Sequence, residues 1–214
     1  MNTLRYTVHI MNNQQKEDTA TLEILQAIEH QDDVTQRHLA DKLDVALGLT
    51  NSYLKRCVNK GLVKIHQAPA NRYFYYLTPK GFTEKSRLTA KYLSSSFEFY
   101  RKASDSLKEN FEECNHNGWN RIVFCGVSEL AEIASIRAQE YNISIIGTWD
   151  PIINKNKFLH LPVWKSFNDV SVYDACMTTS LNHSEQLISQ LISKVDKDLI
   201  LIPSILGIEL ETIL

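Results

Sequence analysis

The sequence of 214 residues lacks the features that mark several large classes of protein. It has only four cysteines and no Cys-x-x-Cys pair, which argues against a disulfide framework and a zinc ribbon. No uncharged apolar run approaches the roughly eighteen residues of a membrane-spanning helix, and the first residues lack the charged-then-apolar order of a secretory signal. We therefore expect a cytoplasmic protein with reduced thiols, no metal site and no membrane partner.

Catalytic motifs are missing as well. The sequence has no nucleophile elbow, no HExxH helix, no P-loop and no paired-carboxylate spacing. Ser128, Glu129, His160 and His183 have no such context, and isolated histidines are usually structural or solvated. We therefore expect no enzymatic activity, and a small nucleotide-dependent enzyme is the least favoured alternative.

The sequence does contain a strong segregation of charge. Eleven Lys and Arg residues stand against three acids between Val34 and Lys91, whereas from Trp119 onward seven basic residues stand against eleven acids. A basic patch confined to one structural unit is typical of a protein that binds a polyanion. The alternative is a solvated basic face without a partner.

The basic region has the pattern of a helix-turn-helix followed by a β-hairpin. Helical spacing over residues 17–30, with acids in the first turn, predicts a first helix. Thr35 is placed to cap a second helix that ends at Asp44, and a third helix runs from about Leu47 to Lys60 before Gly61. Residues 62–65 and 73–77 predict two strands joined by a tip at 67–71, which would form a wing.

A long helix follows, beginning near Pro79 and continuing to Cys114 either as one helix or as two in tandem. Apolar residues recur along it at a near-heptad spacing. They are Leu93, Phe97, Tyr100, Leu107 and Phe111. This stripe predicts a homodimer seam, with packing against the chain's own C-terminal half as the alternative.

After Gly118 the pattern changes to short apolar strands that alternate with helices, which indicates a parallel sheet covered on both faces. We expect four or five strands. The predicted fold is an α+β winged helix-turn-helix domain, a long linking helix and a small α/β Rossmann-like domain with a mostly parallel sheet. The predicted domains are residues 1–81, 82–117 and 118–214.

The third helix has one face suited to a DNA major groove. A helical wheel places Leu47, Asn51 and Leu54 among the inward residues, and it leaves an outward face without acids. Base contacts are expected first from Ser52, Lys55 and Arg56. The full set of predicted DNA contacts, including backbone contacts at the second helix and the wing, is Gln36, Arg37, Gly48, Ser52, Lys55, Arg56, Asn59, Lys60, Arg72 and Tyr73.

The segment from Leu22 to about Lys108 resembles the MarR-type winged-helix regulators, in particular the group associated with exopolysaccharide gene clusters. The resemblance is carried by QRHLA at 36–40, GLTNSYL at 48–54, KGLVK at 60–64, YLTPKG at 76–81 and EKSRLT at 84–89. It implies a dimer on a pseudo-palindromic site in double-stranded DNA and control of surface-polysaccharide genes. Asn51 matches an Asn of that group, and its inward position suggests that it braces the helix by hydrogen bonding.

The C-terminal half carries a degraded dinucleotide fingerprint at residues 122–131. Gly126 is in place, but Ser128 stands where the second glycine would be, and Asp150 lies 24 residues beyond Gly126. GVSELAEIA, IIGTWDP, LHLPVW and VYDACMTTS are similar to Rossmann-like domains of Rex-type repressors and of sugar-nucleotide enzymes. The predicted ligand cleft, for a nucleotide or sugar nucleotide, comprises Gly126, Ser128, Glu129, Asp150, Thr178, Thr179 and Pro203.

These expectations converge on a sequence-specific DNA-binding transcriptional regulator. In one reading the C-terminal half senses a small-molecule effector, whose binding shifts the relative orientation of two DNA-reading heads. In the other it is a ligand-free interaction or dimerisation module.

Overall fold

The computed structural model describes residues 13–30, 34–68 and 72–208. The chain divides into two compact units between Phe97 and Glu98. This division falls inside a helix, whereas the sequence pattern predicted boundaries after residues 81 and 117. Each unit is described by itself below.

The N-terminal unit has the predicted order of helices and strands. Thr35 caps the second helix through a hydrogen bond from the His38 N–H to its Oγ1, and Asp44 ends that helix in the left-handed conformation. Gly61, with φ of +71°, follows the third helix as predicted. The elements are α1 (Asn13–His30), α2 (Gln36–Leu43), α3 (Leu47–Asn59), β1 (Val63–Ala68), β2 (Arg72–Leu77) and the start of α4 (Pro79–Asn117).

The hairpin β1–β2 is antiparallel and pairs Val63 with Leu77 and Gln67 with Tyr73. The predicted turn at 31–33 lies outside the described residues. Of the tip predicted at 67–71, Gln67 and Ala68 belong instead to β1, and residues 69–71 lie outside the described residues. The core of this unit joins one face of each element, as the period of helices and strands requires. Its buried members are Ile24, Leu25, Ala27, Ile28, Val34, Leu39, Leu54, Cys57, Leu62, Val63 and Tyr75.

Two expectations for these helices were wrong. α1 begins at Asn13 rather than at residue 17, so the first turn holds no acid. Leu47, expected inside, is 43% exposed because it is the first residue of α3 and lies beyond the core that Leu54 and Cys57 reach.

α4 is one continuous helix of 39 residues, and its apolar stripe is divided between two environments. Leu107 and Phe111 are fully buried in the core of the C-terminal unit, so this part of the stripe packs against the chain's own sheet. Leu93, Phe97 and Tyr100 are 47%, 61% and 41% exposed. Only the first part of the stripe is therefore available for a partner.

The C-terminal unit is built on a six-stranded sheet, one strand more than the upper expectation. Five strands are parallel, and β5 is antiparallel to β6. The sheet order is β5-β6-β4-β3-β7-β8. The elements are β3 (Arg121–Cys125), α5 (Glu129–Glu140), β4 (Ser144–Trp149), β5 (Lys157–Phe158), β6 (Leu161–Trp164), β7 (Ala175–Thr178), α6 (Ser184–Ile192) and β8 (Ile200–Leu201).

The order of this sheet reverses at β3, because the chain proceeds from β3 through β4 to β6 on one side and through β7 to β8 on the other. Right-handed crossovers on opposite sides of a starting strand place their helices on opposite faces. α5 and the C-terminal part of α4 accordingly cover one face, against Ile122, Phe124 and Met177. α6 covers the other face, against Val123 and Cys176. The expectation of a sheet covered on both faces is confirmed.

Candidate nucleic-acid interface and the α/β crevice

The outward face of α3 carries four of the predicted DNA contacts. Gly48, Lys55 and Asn59 are exposed and Ser52 is half-buried. The side chains of Lys55 and Asn59 make no hydrogen bond or ion pair with any residue that the structure describes. The face thus presents a free cation and a free amide to solvent.

Gly48 has no structural requirement to be glycine. A Cβ built on it meets no atom within 4 Å, and its φ is not positive. In contrast, a Cβ on Gly81 would lie 2.1 Å from the Leu62 carbonyl oxygen, so that glycine is needed where α4 packs on the end of α3. The missing side chain at Gly48 leaves room for something outside the chain to approach the α3 backbone.

Arg56 and Lys60, predicted to face DNA, are paired with α1. A carboxylate oxygen of Glu17 lies 2.9 Å from Arg56 Nη1, and the other lies 3.4 Å from Lys60 Nζ. Arg56 also lies over the ring of Tyr53, 5.8 Å from its centroid. Both cations therefore point to the α1 side of α3, and Lys55 points to the opposite side.

Acids of α1 neutralise further cations of the basic region. Glu29 lies 2.5 Å from Lys85 Nζ, and Asp18 lies 2.6 Å from Lys91 Nζ. Burial raises the pKa of Asp18, but hydrogen bonds from Lys91 and Gln14 outweigh it, and the pKa is lowered from 3.8. The charge count of residues 34–91 thus overstates the free positive charge, because α1 lies outside that window.

A cavity of about 220 Å³ separates α3 from the wing. Gln36 and Ile65 contribute to its wall from α2 and β1, and the remaining lining residues come from α3. These α3 residues are Asn51, Leu54, Lys55, Val58 and Asn59. Asn51 was expected to brace α3 by hydrogen bonding, yet its buried Oδ1 has no partner among the described residues.

The other predicted contacts lie on α2 and β2, and Gln36 is the one among them that lines this cavity. Gln36 donates a hydrogen bond from Nε2 to the Tyr75 hydroxyl at 3.1 Å, which ties the start of α2 to β2. Arg37 is exposed, and Tyr73, opposite Gln67, is 48% exposed. Arg72 is the first residue of β2, and its side chain is not among those that the structure describes.

Sequence reasoning missed the cavity, although part of it was visible. Asn51, Lys55 and Asn59 follow one another at intervals of four residues, and such residues share one side of a helix. The approach of Ile65 depends on tertiary packing and had no local signal.

Three predicted ligand residues of the C-terminal unit, Gly126, Ser128 and Thr179, lie at the carboxyl ends of β3 and β7 and hydrogen-bond with one another. Gly126 has a φ of +106°, and a Cβ built on it would lie 2.5 Å from the Cβ of Ser180. Thr179 donates a hydrogen bond from Oγ1 to the Gly126 carbonyl at 2.6 Å. Ser128 caps α5 through its Oγ, which also donates to the Thr179 carbonyl. The two turns are in direct contact where a pyrophosphate would have to lie.

Asp150 is equally engaged. Its Oδ2 accepts a hydrogen bond from the Val127 N–H at 2.9 Å, and its Oδ1 accepts from the N–H groups of Ile152 and Ile153 at 3.0 Å. The Asp150 residue is only 6% exposed. This carboxylate holds three backbone amides of its own unit, including one in the turn that would contact phosphate.

The last three residues of the predicted cleft differ in whether they have hydrogen-bond partners within the chain. Thr178 donates from Oγ1 to the Leu201 carbonyl at 3.1 Å, and Pro203 precedes a 3-10 turn at Ser204–Leu206. Glu129 is half-buried, and its Oε2 has no partner in the described part of the chain. Burial raises the pKa of Glu129, and neighbouring Glu132 adds to the rise.

Two general findings apply to the described residues. None of their helices is long and apolar enough to cross a membrane. Among the same residues, no group of three or more His, Cys, Asp and Glu side chains is placed to hold a metal ion.

Residues 17–64 match the family model for winged helix-turn-helix DNA-binding domains. This match runs from within α1 to the start of β1, and with the β1–β2 hairpin it defines the N-terminal unit as a winged helix-turn-helix. No curated protein matches the sequence significantly.

Several solved structures are similar to part of the chain. A Staphylococcus aureus MepR–DNA complex is 21% identical, with 42% of this chain and 62% of that chain covered and a TM-score of 0.34. The MarR-family regulator SP03579 is 21% identical, with 46% and 61% covered and a TM-score of 0.34. A MepR-like protein complexed with pseudoligands is 18% identical, with 37% and 60% covered and a TM-score of 0.33.

The chain spans between 60% and 62% of the length of these three solved chains. At such low identities and TM-scores the likeness carries no argument about what this chain binds.

Proposed function

We propose that this protein is a DNA-binding transcription regulator that inserts α3 into the major groove of a duplex. The observation that carries the proposal is the outward face of α3 in a winged helix-turn-helix. The side chains of Lys55 and Asn59 have no partner there among the described residues, and Gly48 opens the backbone to close approach. Such groups suit contacts with base edges and phosphates.

Selection of bound duplexes from a random pool tests this function. The full chain should enrich a defined motif. The logarithm of its binding constant should fall linearly with the logarithm of salt concentration, because binding releases counterions from the phosphates. Recovery of an unenriched pool at every round, or no binding at low salt, would overturn the proposal.

We further propose that the regulator is a homodimer of MarR type, joined along the first part of the α4 stripe. Leu93, Phe97 and Tyr100 expose large apolar side chains at spacings of four and three, which place them on one side of a helix. A symmetric pair of α3 helices would then bind a pseudo-palindromic site. Light scattering of the purified chain tests the dimer, and a monomer at micromolar concentration would refute it.

The resemblance of the sequence to exopolysaccharide-associated regulators supports surface-polysaccharide genes as the target of regulation. The motif from the random-pool selection tests this point. Its best genomic matches should lie upstream of such genes, and matches confined to other genes would contradict the assignment.

For the C-terminal unit the proposal is a Rossmann-like fold that serves as an interaction module and not as a nucleotide sensor. The strand order β6-β4-β3-β7-β8 has the 3-2-1-4-5 pattern of dinucleotide-binding sheets. The crevice of such sheets is occupied here by the contact of Gly126 with Ser180 and by the hydrogen bonds of Ser128 and Thr179. These contacts support the alternative of a ligand-free interaction module over the predicted ligand site.

Melting curves with a panel of nucleotides and sugar nucleotides test the module. No compound should raise the melting temperature, because a ligand that binds only the folded state stabilises it by mass action. A concentration-dependent rise with any compound would restore the sensor, with Glu129 as the first residue to examine.

A further inference from the structure

The cavity between α3 and the wing is not explained by the contacts of the N-terminal unit itself. Its wall includes Lys55 with no partner among the described residues, and Asn51 with a buried and unsatisfied Oδ1. Buried polar atoms without partners are rare in folded proteins and call for an explanation. A ligand from outside the chain is one such explanation.

The width of the DNA groove limits what this ligand can be. An α-helix with its side chains is about 10–12 Å across, and the major groove is about 12 Å wide. Once α3 fills the groove, base edges face the outermost side chains of α3, and the flanks of α3 face the groove walls. Those walls are the sugar–phosphate backbones, so a cavity on the flank of α3 faces a backbone and not a base.

Lys55 lies on this flank. Steps of about 100° per residue place Lys55 about a quarter-turn from buried Leu54, whereas Ser52 lies almost opposite Leu54. Lys60 lies about a third of a turn from Leu54 in the other direction, and its ion pair with Glu17 of α1 fixes the direction of the other flank. Among the described residues, Lys55 is the only unpaired cation that lines the cavity. Its side chain therefore points toward the sugar–phosphate wall of the groove and not toward the base edges at the groove floor.

The remaining lining groups suit the two parts of a nucleotide backbone. Gln36 is the first residue of α2, and the first N–H groups of a helix lack intrahelical acceptors and favour anions. A half-turn of the Asn51 carboxamide exchanges Oδ1 for Nδ2, which places donors in the cavity. Leu54, Val58 and Ile65 provide an apolar surface for deoxyribose.

We propose that this cavity holds one phosphodiester of the bound duplex, with Lys55 at the phosphate and Ile65 against the deoxyribose. The assignment rests on the proposed function and deepens it. Lys55 becomes a residue that positions the protein on the backbone, in place of the predicted base contact. Base reading is left to the residues nearer the groove floor, with Ser52 the first of them.

Methylphosphonate scanning of the selected duplex tests the proposal, because each substitution removes one phosphate charge. One position per half-site should weaken the wild-type protein and have no effect on Lys55→Ala. Lys55→Ala should also lower the log–log salt slope by about one and keep the selected motif unchanged. Arg56→Ala is the matched control, since its side chain pairs with Glu17, and it should still respond at that position.

A pair of substitutions at Ile65 gives a second measurement. This residue is 46% exposed, so the fold should accept a polar side chain. Ile65→Glu places a carboxylate at the phosphate and should weaken binding far more than the neutral Ile65→Gln. Equal effects of the two variants would overturn the assignment, as would loss of base preference at a defined position in Lys55→Ala.

Free oxyanions share the chemistry of the phosphodiester and need a separate arm. Inorganic phosphate should not raise the melting temperature above chloride at equal ionic strength. A Lys55-dependent rise, with no sensitivity to methylphosphonates, would overturn the proposal in favour of a free-anion site. If the wild type binds no duplex at all, the proposed function itself fails. If the wild type binds normally and Lys55→Ala keeps the same log–log salt slope, only the phosphodiester proposal fails.

Discussion

Gly48→Ala should change folding stability and DNA binding in opposite directions. A Cβ at this position meets no atom of the chain, and the backbone is helical without a positive φ. Glycine in a helix costs roughly 0.5–1 kcal/mol relative to alanine. Because Gly48 is only the second residue of α3, the gain should lie toward the lower end of that range.

The expected gain is measurable in the N-terminal unit. A change of 1 kcal/mol shifts the midpoint of a domain of this size by roughly 4–8 °C, so a rise of about 2–4 °C is expected. Urea unfolding of the full chain gives the free energy, and a thermal melt gives the midpoint. A fall in stability would show that Gly48 is constrained within the chain.

The loss of affinity follows from close packing of α3 against the duplex. An extra methyl group in a well-packed contact costs about 1–3 kcal/mol, which corresponds to a loss of about 5-fold to 150-fold in affinity. Fluorescence anisotropy with the selected duplex measures it. Ser95→Ala, on the side of α4 opposite Leu93, is the control for a helix-favouring substitution and should leave affinity unchanged. Undiminished affinity of Gly48→Ala would refute the close approach of α3 to DNA.

Three further outcomes are expected. Glu17→Gln should lower the free energy of unfolding by about 0.2–1 kcal/mol, as for other exposed ion pairs. It should not weaken duplex binding, because it frees Arg56. Reduced affinity would show that the pair orients α3 for binding. Phe97→Glu should convert the dimer into a monomer by light scattering, whereas Ser95→Glu should not, and a persistent dimer would exclude this part of α4 as the seam. Burial raises the pKa of Glu129, so the folded state binds this proton more tightly than the unfolded state does. The free energy of unfolding should therefore fall as pH rises from 4.5 through the folded pKa, and Glu129→Gln should flatten this fall in urea titrations at several pH values. An unchanged pH dependence in Glu129→Gln would contradict a raised pKa of Glu129.

The elements of the N-terminal unit were predictable because local signals agree with one another. Thr35 and Asp44 bound α2, Gly61 follows α3, and Pro79 begins α4, each through a preference of the residue type for that backbone position. In the sheet, near-continuous apolar runs predicted β3, β4, β7 and β8. β5 and β6 were missed, because β5 has only two residues and β6 is short and contains Pro162, which lacks the N–H of an ordinary strand residue.

The errors concern contacts between elements. Helical spacing predicts a stripe on α4 but does not decide between a dimer seam and the chain's own sheet, which Leu107 and Phe111 contact. The wheel of α3 separates inside from outside, yet it does not show that Glu17 of α1 lies beside Arg56. Sequence spacing likewise brought the crevice residues to one edge of the sheet, but the closure of that edge by Ser180 depends on an approach that only the folded chain shows.

The central claim is that the outward face of α3 contacts the duplex, and one substitution tests it most directly. Ser52 lies in the middle of that face, and its hydroxyl makes no hydrogen bond with the described residues. Ser52→Glu should keep the wild-type melting temperature and lose binding at concentrations at which the wild type saturates the selected duplex, because a carboxylate would face phosphates and base acceptors. Wild-type affinity of Ser52→Glu for that duplex would contradict the claim.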